Sequence, residues 1–171
     1  GESFADRVPV SSMLLERMQV TLMLVLPSEI LAILIGTLLG LFSAQHQRSA
    51  VDVIASGGSY VLNAMPSFWL ALMFIAVNLK WLPTSGMQSF NTDLSPFLDT
   101  LRHMILPSLT LILVRIPTYL KLARSSIVEV AQEDFINTAR AIGYSERVVY
   151  RRHALRNALL PTVTQVGMSI S

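Results

Sequence analysis

The chain has 171 residues, of which 52% are apolar and only 14% charged, against roughly 25% charged in a typical soluble protein. Mean hydropathy is +0.53 and cysteine is absent, which excludes an ordinary water-facing composition and any disulfide or thiolate–metal framework. Thirteen basic against eleven acidic residues give a pI near 9.3, an excess whose placement matters more than its size.

Residues 1–19 are mixed polar, with Arg7, Glu16 and Arg17, and are expected to lie beside the membrane. Residues 20–42 then hold a single charge, Glu29, in 23 positions. As a helix rising about 1.5 Å per residue they cover about 34 Å, enough to cross a hydrocarbon core of about 30 Å. Pro27 is expected to kink this first span near its start. Gly36 and Gly40 stand four apart in it, a spacing that lets two helices approach closely.

A polar turn occupies residues 45–52, and residues 53–79 follow with no charge in 27 positions, more than one span needs. Gly57-Gly58 and Pro66 predict an interruption, with an interfacial lead-in and the span proper starting near Val61. Trp81 and Trp69 are candidate interfacial anchors, Trp69 equally a residue packed between helices. Pro83-Thr84-Ser85-Gly86 predicts a turn in the loop 80–103. A third span at 104–120 has 17 residues, one charge (Arg115) and two prolines, Pro107 and Pro117. Residues 157–171 are uncharged and are expected to open a fourth. The chain starts at Gly1 and stops at Ser171 inside an apolar run, so a fragment is expected. The fold class expected is all-α, a polytopic transmembrane bundle with about three full spans plus the start of another.

Basic residues set the orientation. Lys121, Arg124, Arg140, Arg147, Arg151, Arg152 and Arg156 fall in 121–156, and alternation of spans puts Arg48 on the same side. The other side holds Arg7, Arg17, Lys80 and Arg102. Residues 121–156 should therefore face the cytoplasm and residues 1–19 the opposite side.

That cytoplasmic segment is patterned. Ile127, Ala131, Phe135, Ala139 and Ile142 recur at helical spacing, predicting one amphipathic helix that Gly143 ends as a left-handed cap. Ser145 can cap a second helix with Glu146 in its first turn, and that helix leads through Pro161 into lipid. Three readings of this knob stand side by side on physics alone. It can lie on the headgroups with its arginines toward anionic lipid. The run Ala139, Gly143, Ser145, Val148 and Arg151 imitates a helix-turn-helix DNA reader, although the third packed helix such a domain needs is missing. Or it docks on a cytoplasmic partner.

The run from Ala131 to Arg147, Ala-Gln-Glu-Asp-Phe-Ile-Asn-Thr-Ala-Arg-Ala-Ile-Gly-Tyr-Ser-Glu-Arg, followed by Arg152-His153-Ala154-Leu155-Arg156-Asn157-Ala158-Leu159-Leu160-Pro161, resembles the cytoplasmic signature of bacterial ABC-importer permeases. It is similar in particular to the branch serving dipeptides, oligopeptides and nickel. Met65-Pro66-Ser67-Phe68-Trp69, Leu82-Pro83-Thr84-Ser85-Gly86 and Leu106-Pro107-Ser108-Leu109 resemble that branch in the same order. Aligned on Gly143, Asn137 and Thr138 stand where the broader importer pattern has Glu and Ala, and His153 and Arg156 replace its Ile and Pro, as is common in the peptide branch.

The resemblance implies a permease of type I importer fold in the bacterial inner membrane, with residues 20–171 a truncated transmembrane domain containing the coupling loop 121–156. It implies a docking loop of Glu133, Asp134, Phe135, Ile136, Thr138, Ala139, Arg140 and Gly143, seated on a separate ATPase subunit. Phe135 and Ile136 would be its apolar anchor, with Glu133, Asp134 and Arg140 at the rim. Implied partners are cytoplasmic ATPase subunits, a second homologous permease, an extracytoplasmic solute-binding protein and membrane lipid, with no nucleic acid. Which solute is carried does not follow.

The chain has no Gly-x-x-x-x-Gly-Lys-Ser/Thr phosphate loop, so no nucleotide or other cofactor is expected on it. His46, His103 and His153 are scattered without ligand spacing, and no nucleophile–base set stands out; neither a metal site nor an enzyme is expected. Glu29 and Arg115 would each lie about 13–17 Å deep in equally oriented spans. Isolated charges there cost at least about 2.5–3.5 kcal/mol each, which predicts an ion pair holding two spans in register or lining a polar solute path. A secondary transporter or channel driven by an ion gradient also accounts for the spans and buried charges, but leaves the patterned knob without a task.

Overall fold

A computed structural model of the chain describes residues 10–77, 81–89, 95–145, 148–149 and 155–169, and every regular element among them is a helix. In chain order these are α1 (Val10–Gln45), α2 (Ala50–Ala64), α3 (Ser67–Val77), α4 (Pro96–Val130), α5 (Asp134–Ala141), α6 (Leu155–Ala158) and α7 (Leu160–Ser169). The predicted positions Arg7, Lys80, Glu146, Arg147, Arg151, Arg152 and His153 lie outside the described residues.

Two helices, α1 and α4, are long and apolar enough to cross a membrane, and a third crossing is reached if α2 and α3 are counted as one broken span. Along α1, Leu22, Leu26, Ile30, Leu34 and Leu38 are all exposed within the chain, as a lipid-facing surface requires. The helix begins at Val10, inside the segment expected to stay outside the membrane helix, and Pro27 lies within it without ending it. The third predicted span is likewise longer than its apolar window. Residues 104–120 sit inside the 35-residue α4, which carries Pro107 and Pro117 internally.

The second apolar stretch breaks, but not where an interfacial lead-in would place it. α2 runs straight through Gly57-Gly58 and ends at Ala64. The break is at Met65, extended at φ −81° and ψ 129°, because the ring of Pro66 disfavours the helical conformation for the residue before it. Val61 lies inside α2, so no helix begins there. At the other end of α2, Ser49 is the N-cap and accepts the Asp52 N–H at 3.4 Å, while Asp52 reaches back to accept the Arg48 N–H at 3.0 Å.

The chain divides into two compact units, Gly1–Leu31 with Ser67–Ile112, and Ala32–Pro66 with Leu113–Ser171. In the first, the loop before α4 is held to the start of that helix by Asp99, whose buried carboxylate accepts the Ser89 N–H at 2.6 Å and the Ser89 hydroxyl at 3.2 Å. Arg102 donates to the Trp81 carbonyl at 2.6 Å, and Gly86, with φ +78°, supplies the left-handed residue of the predicted turn.

In the second unit, α1 and α4 touch at the two glycines. A Cβ on Gly36 would stand 2.7 Å from the Cβ of Tyr119, and one on Gly40 would stand 2.5 Å from the Leu120 carbonyl. Both distances are inside van der Waals contact, so only glycine permits this approach. Tyr119, Leu120 and Ala123 are buried there. Below the contact, Ala44 of α1, Ile127 of α4 and Ala158 of α6 close a small apolar cluster.

Candidate functional site

The predicted docking segment is a short helix set on the end of a long one. α4 ends at Val130, and the chain turns through Ala131, Gln132 and Glu133, whose N–H groups bond to Ile127, Glu129 and Val130 carbonyls at 2.9, 3.0 and 3.1 Å. The expected single helix carrying Ile127 to Ile142 on one stripe is therefore two helices. Glu133 sits at the N-cap of α5, Asp134 in its first turn and Arg140 in its last, which suits the helix dipole at both ends.

The turn sets the register of α5. Ile136 is 0% exposed and packs with Ala139, Val149 and Val130 in a core of the knob's own. Phe135 is 42% exposed and Ile142 71%, so the expected stripe is buried at Ile127 and Ala139 but not at these two positions. Of the two expected apolar anchors, Phe135 is presented outward and Ile136 holds the knob together. Glu133, Asp134 and Thr138 are exposed, Ala139 is buried, and Arg140 is half-buried with an Nη1–H directed at Asn137 Oδ1 at 3.5 Å.

Gly143 ends α5 with φ +96°. The Tyr144 N–H bonds to the Ala139 carbonyl at 3.2 Å and the Gly143 N–H to that of Arg140 at 2.9 Å. This is the paired six-to-one and five-to-two closure that glycine permits at a helix C-terminus. A Cβ on Gly143 would meet nothing within 4 Å, so the need for glycine there is one of backbone conformation alone. After it, the Val148 and Val149 N–H groups both bond to the Ser145 carbonyl.

At the root of the knob is a pair that no local sequence pattern connects. Arg124 donates Nε–H to Asp52 Oδ1 at 2.7 Å and Nη2–H to Oδ2 at 2.9 Å. The Ser43 hydroxyl and the Arg48 N–H also donate to this carboxylate, whose side chain is 7% exposed. The pair ties the first turn of α2 to the stretch of α4 just before the knob. Of the charges expected to pair inside the membrane, Glu29 is half-buried in the first unit and Arg115 is exposed in the second.

Long apolar helices carrying a compact, partly polar knob define an α-helical membrane protein. Residues 36–171 match the family of binding-protein-dependent transport system inner membrane components. The chain is 39% identical over 165 residues to an oligopeptide transport system permease protein of Bacillus subtilis, covering 95% of this chain and 52% of that protein. It is 35% identical over 193 aligned residues to a dipeptide transport system permease protein of Escherichia coli, covering 99% of this chain and 57% of that protein. A putative peptide permease protein of Brucella suis is 37% identical over 164 residues, with coverage of 94% and 51%. The chain belongs to this family of inner-membrane transport components, and it spans about half the length of the relatives it matches.

Proposed function

We propose that the chain is part of a permease subunit of an ATP-driven importer in the bacterial inner membrane, crossing it several times and carrying peptides or a related small solute. Its helices form part of the translocation path, and the knob of α5 and Gly143 seats on a separate cytoplasmic ATPase subunit. A second homologous permease, an extracytoplasmic solute-binding protein and surrounding lipid complete the assembly. The family match covers the knob, and the relatives' names supply the peptide class.

The observation that carries the docking reading is the outward placement of Phe135 on a helix whose inner side, Ile136 and Ala139, is packed in the knob's own core. An exposed aromatic on a self-supporting knob is a ready contact for a partner's apolar groove, ringed by Glu133, Asp134, Thr138 and Arg140. Transport then requires that nucleotide-bound and nucleotide-free ATPase contact the knob differently, since equal contact transmits nothing. The Asp52–Arg124 pair stiffens the root of this lever.

The test uses the full-length permease with its operon partners in native membranes. Cysteine at Phe135 or Arg140 should crosslink to an ATPase subunit, and vesicles should take up a labelled dipeptide only with ATP. Crosslinks to phospholipid alone, or uptake driven by an ion gradient without ATP, would reject the reading.

A further inference from the structure

The second unit holds a cavity of about 560 Å³ between α2, α4 and α7, inside the roughly 300–1,000 Å³ that small-molecule sites occupy. Its walls include Ser59, Tyr60, Asn63, Thr118, Lys121 and Gln165. Polar side chains are costly among membrane segments unless they are paired or serve a polar path, so their convergence needs a reason.

The charges at the cavity sort themselves. Arg124 lines it too, but both prongs of its guanidinium are taken by Asp52. Lys121 has no such partner among the described residues. Its Nζ lies 4.4 Å from the centre of the Tyr60 ring, a cation–π contact that positions the ammonium without neutralising it. No carboxylate is among the described lining residues. The side chains of Asn63 and Gln165 form no hydrogen bond with other described residues, so an amide donor and acceptor on each remains available. Among its described lining residues the cavity therefore offers one uncompensated positive charge beside neutral amide groups.

We infer that this cavity is a solute waypoint in which Lys121 takes the free carboxylate of a short peptide while Asn63 and Gln165 meet its backbone amides. This deepens the importer reading and rests on it. A peptide fits better than a lipid headgroup, because headgroup sites gather several free cations and among the described lining residues Lys121 alone is free.

The intact transporter, reconstituted with its partners, decides the matter. Lys121→Gln should lower the maximal ATP-driven uptake of a dipeptide by about tenfold, the factor that loss of one charge-assisted hydrogen bond carries, and Lys121→Arg should restore most of it. The chain has no native cysteine, so Lys121→Cys places a single thiol of this segment in the cavity. During turnover a saturating dipeptide should slow its modification by a charged thiol reagent. Wild-type uptake in Lys121→Gln, or a modification rate indifferent to the peptide, overturns the proposal. So does protection that follows the phosphatidylglycerol content of the vesicles instead. If the wild-type assembly itself shows no ATP-driven uptake, the importer reading fails and this inference fails with it.

Discussion

Asp52 and Arg124, 72 positions apart in the chain, face each other as a two-pronged ion pair with N–O distances of 2.7 and 2.9 Å. The carboxylate is buried and the guanidinium is one-third exposed, which places the pair between a surface bridge and a fully desolvated one. Removing one partner leaves the other without compensation in a poorly solvated place. Asp52→Asn and Arg124→Gln should each cost about 3 kcal/mol, the low end for broken buried pairs because Arg124 keeps some water. Exchanging the two residues should not restore stability, since the Ser43 hydroxyl and the Arg48 N–H both donate into the carboxylate at position 52. Thermal unfolding of the full-length protein in detergent checks both; full recovery in the exchanged variant would show that charge alone matters here.

Apolarity made the long helices legible, and Pro66 made the break in the second stretch legible, because its ring acts on the residue before it whatever the tertiary context. Gly57-Gly58 misled for the opposite reason. Glycine inside a helix costs only about 1 kcal/mol each, and a capped α2 anchored by Asp52 carries that cost. The left-handed residue at Gly143 was visible from the sequence. The register of α5 was not, because Ala131-Gln132-Glu133 contains neither glycine nor proline and reads as continuous helix. What bends the chain there is the burial of Ile136 and Ala139 against Val130 and Val149, a long-range contact that periodicity does not encode. The Asp52–Arg124 pair was hidden in the same way.

The two pairs of glycines should respond in opposite directions to the same change. Gly40→Ala puts a methyl 2.5 Å from the Leu120 carbonyl, so α1 and α4 must move apart and the cost should be about 1–3 kcal/mol. At Gly57 and Gly58 a Cβ meets nothing within 4 Å and the residues lie inside α2, so alanine there should stabilise by about 0.5–1 kcal/mol. Comparing unfolding midpoints of these variants in one detergent is enough; equal effects at Gly40 and Gly57 would refute the close packing of α1 on α4.

Gly143→Ala isolates a backbone effect, since its Cβ would enter open space while φ stays at +96°. Holding an alanine in that region should cost about 1–2 kcal/mol, and asparagine, which tolerates left-handed backbone, should cost less. The loss should appear locally as faster hydrogen exchange at the Gly143 and Tyr144 amides, whose bonds to Arg140 and Ala139 close the helix. Uniformly faster exchange across the chain would mean instead that the cap supports the whole fold.

Phe135 and Ile136 are adjacent yet should separate docking from folding. Ile136 is fully buried in the knob's own core, so Ile136→Ala should destabilise it by about 2–4 kcal/mol through lost apolar contact and the cavity left behind. Phe135 is 42% exposed and absent from that core, so Phe135→Ala should leave the unfolding midpoint nearly unchanged. If Phe135 fills a pocket on an ATPase subunit, its truncation should cost at least about 2 kcal/mol of binding, a loss of roughly thirtyfold in affinity. Co-purification of the ATPase at dilute protein, measured beside thermal stability for both variants, distinguishes the two roles. A Phe135→Ala protein that unfolds early and still retains its ATPase would turn the assignment around, making the aromatic a prop of the fold.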